Sequence, residues 1–363
     1  MDRLCETPPF DGAHRSAASW TQAQSPRKQR ESPWRSVLKF ASITVGGAAA
    51  VALGNLWFMD VPKIKEFQPS KIDRPAPKYF RFVDPAKTGM LCYEEVGHGS
   101  KLVFVFCPEW PVVVAELGRD RIEQLLNRHD LKLVLLDTLR SDRSLLWQDV
   151  TDLGQWPQLI HQFFDLHYRR HDPAQAGFSV LAIGVPEAHY AALCASGSPS
   201  LARSIHLFSV PHAPLPQGAP SLGWLHPTNL YFGLIAKLLR MSIFQSPHNT
   251  MARLVDTDHP HDRELFSKHL PLYTSLLQQE LLHGIEPLAR EFQLLTHAAT
   301  YDWRHWPGRL HLWTSASHPD PQCLPQGRVT IHDTVEEGPF SRFCHHLEPL
   351  LQQLEMDFDP MTH

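Results

Sequence analysis

The stretch Phe178–Leu193, FSVLAIGVPEAHYAAL, decides how the rest of the chain is read. It opens with β-forming apolar residues, reaches Gly184, and passes through Pro186-Glu187 into a run with helical composition. Proline is tolerated in a first helical turn, and an acid there suits the positive end of the helix dipole. The stretch therefore reads as a strand turning sharply into a helix. Gly184 sits at the turn because glycine takes strained backbone angles at little cost.

On both sides the same rhythm recurs. Upstream lie three short strand-like runs, YFRFV, MLCYEEVG and KLVFVFCPEW, two of which are expected to pair as a hairpin. A helix near 114–128, the strand LKLVLLD, a helix near 156–168, FSVLAIG, a helix near 187–196 and the strand SIHLFSV follow. Such alternation predicts an α/β fold with a mostly parallel sheet covered on both faces. From about 213 to 300 the strand signals stop and the pattern is helical, which predicts a cap inserted over the sheet. RLHLWTSA, GRVTIHDT and a terminal helix over FSRFCHHLEPLLQQLEM restore the rhythm, so one domain spans residues 79–357.

The N-terminal part differs in kind. Residues 1–36 are polar and lack the periodicity that closes a core, and they read as a disordered or targeting segment. Within 37–59, the run FASITVGGAAAVALGNLWFM carries no charge for about twenty positions, enough to cross a hydrocarbon core of roughly 30 Å as a helix. Ser42, Gly46, Ala50 and Gly54 recur every fourth residue and line one face of that transmembrane helix with small side chains, a face suited to packing against other subunits. Residues 60–78 form a proline-rich linker. Basic residues flank the apolar run on both sides, so the positive-inside rule gives no orientation. The arginines of the leader suit a mitochondrial presequence, whereas Asp2, Glu6, Asp11 and Glu31 do not; the mitochondrial inner membrane and the endoplasmic reticulum both fit.

Composition removes other classes. The formal net charge is −4 with no basic run interleaved with aromatics, which argues against a nucleic-acid partner. The six cysteines lack a CxxC pair and read as buried thiols. His259-Pro260-His261, His345-His346 and the pair His167 and His171 have no third ligand at zinc-site spacing, and no glycine-rich phosphate loop follows the first parallel strand. Neither a metal nor another cofactor is expected. Trp303, Trp306 and Trp313 suit the lining of a pocket, although core or interface packing is their more common role.

In this layout the chain resembles the α/β-hydrolase family over roughly residues 79–355. The matching pieces are the opening hairpin with CYEEVGHGSKLVFVF, the strand LKLVLLDTLRSDRS, the strand-turn-helix FSVLAIGVPEAHYAAL, the helical cap, and the closing strand pair and helix. The long cap helices followed by THAATYDW are also similar in arrangement to maspardin-type hydrolase-like proteins. The resemblance implies a nucleophile in a GxSxG turn, and the matching residues are Ala182, Ile183, Gly184, Val185 and Pro186. A glycine at 184 has no oxygen with which to attack a carbonyl. Ser179, five residues earlier, falls inside the strand, away from the edge where ligands bind. The oxyanion turn is replaced by Cys107-Pro108-Glu109-Trp110, with a proline that lacks an amide hydrogen, a carboxylate that repels an oxyanion, and a thiol with no assignable base. Asp320 stands where the resemblance puts the acid, but the histidine position reads Thr334-Val335-Glu336-Glu337-Gly338, and His332 lies earlier, in a strand.

With nucleophile, oxyanion donors and base all substituted, the expectation is a non-catalytic, membrane-anchored hydrolase-like protein. It would act as an accessory subunit of a membrane complex through its transmembrane helix and globular domain. The alternatives are a membrane-bound serine hydrolase or lipid esterase with a displaced nucleophile, and a pseudohydrolase whose cap binds a lipid or another apolar ligand.

Overall fold

The computed structural model describes residues 72, 74–82, 89–209, 229–254, 259–297, 306–314, 329–333 and 338–358, apart from 142, 174 and 283. The segments 1–36 and 37–59, with Ser42, Gly46, Ala50 and Gly54, lie outside the described residues. No described helix is long and apolar enough to cross a membrane.

Eight strands form one sheet: β1 (Lys78–Arg81), β2 (Met90–Val96), β3 (Lys101–Phe106), β4 (Leu131–Leu136), β5 (Phe178–Ala182), β6 (Ala202–Leu207), β7 (Arg309–Thr314) and β8 (Val329–Asp333), in the order β1-β2-β4-β3-β5-β6-β7-β8. β1 and β2 are antiparallel to their neighbours, and the strands from β4 to β8 in that order pair in parallel. The helices are α1 (Trp110–Leu117), α2 (Arg119–Arg128), α3 (Trp156–Phe163), α4 (Val185–Gly197), α5 (Asn229–Gln245), α6 (Pro247–Leu254), α7 (Pro260–Lys268), α8 (Leu270–Glu280), α9 (Glu286–His297), α10 (Pro339–His345) and α11 (Leu347–Phe358).

The central strands β3 and β5 are buried on both faces, as continuous apolar runs require. Phe104, Phe106, Val180 and Ala182 point to one side and pack with Trp156 and Phe163 of α3 and Tyr190 of α4. Val103, Val105, Leu181 and Ile183 point to the other, towards Trp110 of α1, Ile122 of α2, Phe343 of α10 and Leu350 of α11. Each large side chain taken fully out of water contributes roughly 1.5–3 kcal/mol. The cap, α5 to α9, interrupts this domain between β6 and β7, as the helical block predicts.

Four expectations are corrected. The hairpin forms between β1 and β2; the stretch CYEEVGHGSKLVFVF is not one, because β4 lies between β2 and β3. Gly97, with φ +83°, and Gly99 explain this: a Cβ on Gly99 would lie 2.0 Å from the backbone of Asp130. The turn is pressed against the start of β4, with Gly99 N–H donating to Leu131 O at 3.3 Å, and β3 enters on the far side of that strand. The helix expected near 114–128 is two helices broken at Gly118, whose φ of +82° is left-handed. The terminal helix likewise breaks at His346. The end of the linker is also part of the domain: Ile72 packs on the core and Arg74 lies 4.0 Å from Glu94.

Candidate functional site

β5 delivers the chain to the turn that the opening stretch predicts. Ile183 N–H donates to Phe106 O at 3.1 Å, Gly184 adopts φ 117° and ψ 159°, and Ala188 N–H closes the first helical bond onto Gly184 O at 3.1 Å. That backbone region is essentially reserved for glycine. Glu187, in the first turn of α4, folds back over the glycine: a Cβ at position 184 would lie 2.2 Å from Glu187 Oε2. The space into which a nucleophile would project is therefore taken by a carboxylate that is 3% exposed.

Around it lies a charge cluster that the sequence did not disclose. Arg140, in the loop after β4, places Nη2 3.0 Å from Glu109 Oε1, Nη1 3.7 Å from Glu187 Oε1 and Nε 3.7 Å from Glu280 Oε2. Glu109 comes from the turn after β3, Glu187 from α4 and Glu280 from the cap helix α8. Glu291, on cap helix α9, accepts from Tyr190 Oη at 2.8 Å and from the backbone N–H of Arg140. Four carboxylates thus face one guanidinium. Burial pushes the Glu187 pKa well above the carboxylate range against the opposing pull of Arg140, and raises those of Glu280 and Glu291. For Arg140 burial disfavours the charge, but Glu280, Glu109 and Glu187 outweigh it and hold the proton.

This arrangement is poor acyl-transfer chemistry. A nucleophilic carboxylate must be ionised and free to approach its target, whereas Glu187 is protonation-prone and packed against Arg140. At the oxyanion turn Pro108 has no N–H, and Trp110 N–H is spent on Cys107 O at 3.1 Å. Cys107 is buried, and that burial drives its thiol well above the range in which a thiolate forms. Ser179 is fully buried in β5 and accepts from Ser204 Oγ at 2.8 Å. Asp320 and the residues 334–337 lie outside the described residues.

His332 belongs to another cluster. Its ring stacks on Trp313 at 3.9 Å, its Nε2 lies 3.2 Å from His311 Nδ1, and burial lowers its pKa to about 4. His206 and His311 from adjacent strands converge with Asp357 of α11: His206 Nε2 is 2.9 Å and His311 Nε2 3.3 Å from Asp357 Oδ2. Arg309 Nη1 lies 3.1 Å from the other oxygen. Burial lowers the His206 pKa to about 4. Burial alone would raise Asp357, but hydrogen bonds from His206 and His311 hold it far below the carboxylate range.

Ser204 Oγ is 3.2 Å from His206, which gives a serine, a histidine and an aspartate in a row. Both contacts fall on Nε2, whereas a triad needs the two ring nitrogens to face opposite partners. A metal fits equally badly. The His206 and His311 rings stack at 4.4 Å with planes 7° apart, so an ion in the plane of one lone pair lies out of the plane of the other, and Arg309 already neutralises the carboxylate. Among the described residues this is the one group with metal-ligand spacing, and its geometry is that of a buried hydrogen-bond hub. Single histidines inside the apolar strands SIHLFSV and RLHLWTSA were its only sequence signal.

The remaining expected groups separate. His167 Nε2 bonds Tyr93 Oη at 2.8 Å, and Trp306 and Trp313 are buried in the core. A cavity of about 260 Å³ involves Val96, Trp110, Ile122 and Lys132, with neither Gly184, Arg140 nor any cap residue in its wall.

No protein-family model matches the chain, and no curated protein matches it in sequence. Solved structures do match in fold. An epoxide hydrolase superposes with a TM-score of 0.51 at 13% identity, covering 79% of this chain and 100% of that one. A carboxylesterase structure from the ammonia-oxidizing thaumarchaeon Nitrososphaera gargenis superposes with a TM-score of 0.50 at 10% identity, covering 77% of this chain and 98% of that one. The protein has the α/β-hydrolase fold. Likeness at these identities defines the architecture and leaves activity to the site.

Proposed function

We propose that this chain is a non-catalytic α/β-hydrolase-fold protein, held at a membrane by residues 37–59 and serving as an accessory or structural subunit of a membrane complex, in the mitochondrial inner membrane or the endoplasmic reticulum. The observation that carries the reading is Glu187 folded over Gly184, where a nucleophile would stand. Arg140 and Glu280 extend the same filling to the cap, so the space beside the turn is built of protein side chains. The small-residue face Ser42, Gly46, Ala50 and Gly54 supplies the contact with other subunits.

The test is exposure of the purified full chain to a fluorophosphonate probe. No covalent labelling is expected. Labelling abolished by a single Ser→Ala change would identify a displaced nucleophile and overturn the proposal. Co-extraction of a stoichiometric lipid would instead point to an apolar-ligand-binding pseudohydrolase.

A further inference from the structure

Three of the polar contacts between cap and core dock acids of the cap on donors of the core. Glu280 of α8 meets Arg140, Glu291 of α9 meets Tyr190 and the Arg140 backbone, and Asp262 of α7 accepts from Ser341 N–H and Oγ, both at 2.7 Å, at the start of α10. On the core side stand two further acids, Glu109 and Glu187, and they share the single guanidinium with the cap. If all four carboxylates ionise, two negative charges on the cap face two on the core with one cation between them.

We propose that the cap is a pH-gated lid, latched through Arg140 at mildly acidic pH and released as rising pH ionises the carboxylates across the cap–core interface. This deepens the non-catalytic reading by giving the filled site a conformational use.

The direction follows from burial. Glu187, Glu280 and Glu291 have raised pKa values with the cap closed. Opening would return them to water, where they ionise at ordinary carboxylate pH, so opening releases protons and higher pH favours it. Asp262 shifts the same way, burial outweighing its hydrogen bonds from Ser341 and Phe340.

Other charged and titratable groups facing this interface do not reverse the sign. Cys107 and the phenols Tyr190 and Tyr273 are pushed further from ionisation by burial. Arg74, before β1, acts on Glu280 but is shared with Glu94. On α1, Glu116 is taken by Lys268 at 2.8 Å and His269 at 2.8 Å. On α5, Arg240 donates to Leu282 O at 2.8 Å, and Lys237 faces Arg240 and Glu286. Arg290 of α9 donates to Val150 O at 3.1 Å, and Asp149 adds a further acid in the short helical turn Leu146–Asp149, which α9 contacts. Of these only Arg74 acts on the Arg140 cluster, through Glu280, and Arg140 remains the one guanidinium placed between Glu109, Glu187 and Glu280.

The test is hydrogen exchange of the full chain, corrected for intrinsic rates, read separately over residues 259–297 and over 178–197. Protection of the cap should fall at least about tenfold as pH rises from about 4.5, near the ordinary carboxylate pKa, to about 8.5, while the strand-turn-helix changes little. The double variant Glu187→Gln, Glu280→Gln mimics the protonated carboxyls and should keep the cap protected at the higher pH. pH-independent cap protection in the native chain, or a double variant as pH-sensitive as the native chain, overturns the proposal. Fluorophosphonate labelling with an intact pH response would instead sink only the non-catalytic reading.

Discussion

At the scale of single residues, Gly184 and Glu187 form one unit. Restoring a hydroxyl by Gly184→Ser meets two obstacles: a backbone at φ 117° and ψ 159° that L-residues avoid, and the Glu187 carboxylate. We expect Gly184→Ser to lower stability by about 1–3 kcal/mol in chemical denaturation and to yield no esterase activity. Removing the obstructing carboxylate as well, in Gly184→Ser with Glu187→Ala, should leave the backbone part of that loss and still give no turnover, because Pro108 remains without an N–H. Measurable hydrolysis by the double variant would show that only the nucleophile is missing. The turn itself was legible in the sequence, since proline and an acid after a glycine announce it. The occupant was not: Glu187 looked like an ordinary first-turn acid, and only the positive φ of Gly184 turns it back over the strand end.

At the scale of elements, the hub at Asp357 fastens α11 to β6 and β7. Gln353 adds a donor at 3.2 Å, and Arg203 binds Phe358 O at 3.2 Å in the same turn. His206 is neutral in the fold, with a pKa of about 4, but takes a proton near its ordinary value of about 6.5 when unfolded. Falling pH therefore favours the unfolded chain from about pH 6.5 until the native histidine itself titrates, a loss of up to about 3 kcal/mol. Asp357, depressed in the fold, adds its loss only at still lower pH. The denaturation midpoint of His206→Gln, which keeps a donor but cannot take the proton, should rise relative to that of the native chain as pH falls across this window, over and above the shares of His332 and the buried carboxyls that both chains keep. A difference between variant and native midpoints that stays constant from pH 6.5 to 4 would remove His206 as a source of pH sensitivity. Neither this hub nor the Arg140 cluster could be read from spacing, because each draws its members from strands and helices far apart in sequence. Strand identities were legible because apolar runs declare themselves; the order of β2, β4 and β3 was not, since it depends on two glycines pressing a turn against a neighbouring backbone.

At the scale of the whole molecule, the proposal predicts an integral membrane protein that travels with others. Alkaline carbonate should leave the full chain in the membrane pellet, and gentle detergent extraction should recover it in a species well above 41.4 kDa after allowance for the micelle. Release by carbonate, or recovery as a free monomer, would count against the anchor and the complex respectively. The domain's own start carries a mechanical consequence. Any pull applied through the chain upstream meets Ile72 and Arg74 before it reaches the ladder between β1 and β2. A part-buried apolar contact and the ion pair of Arg74 with Glu94 thus stand in series with the sheet, and under such a pull they would yield and release chain length while the eight strands stay joined.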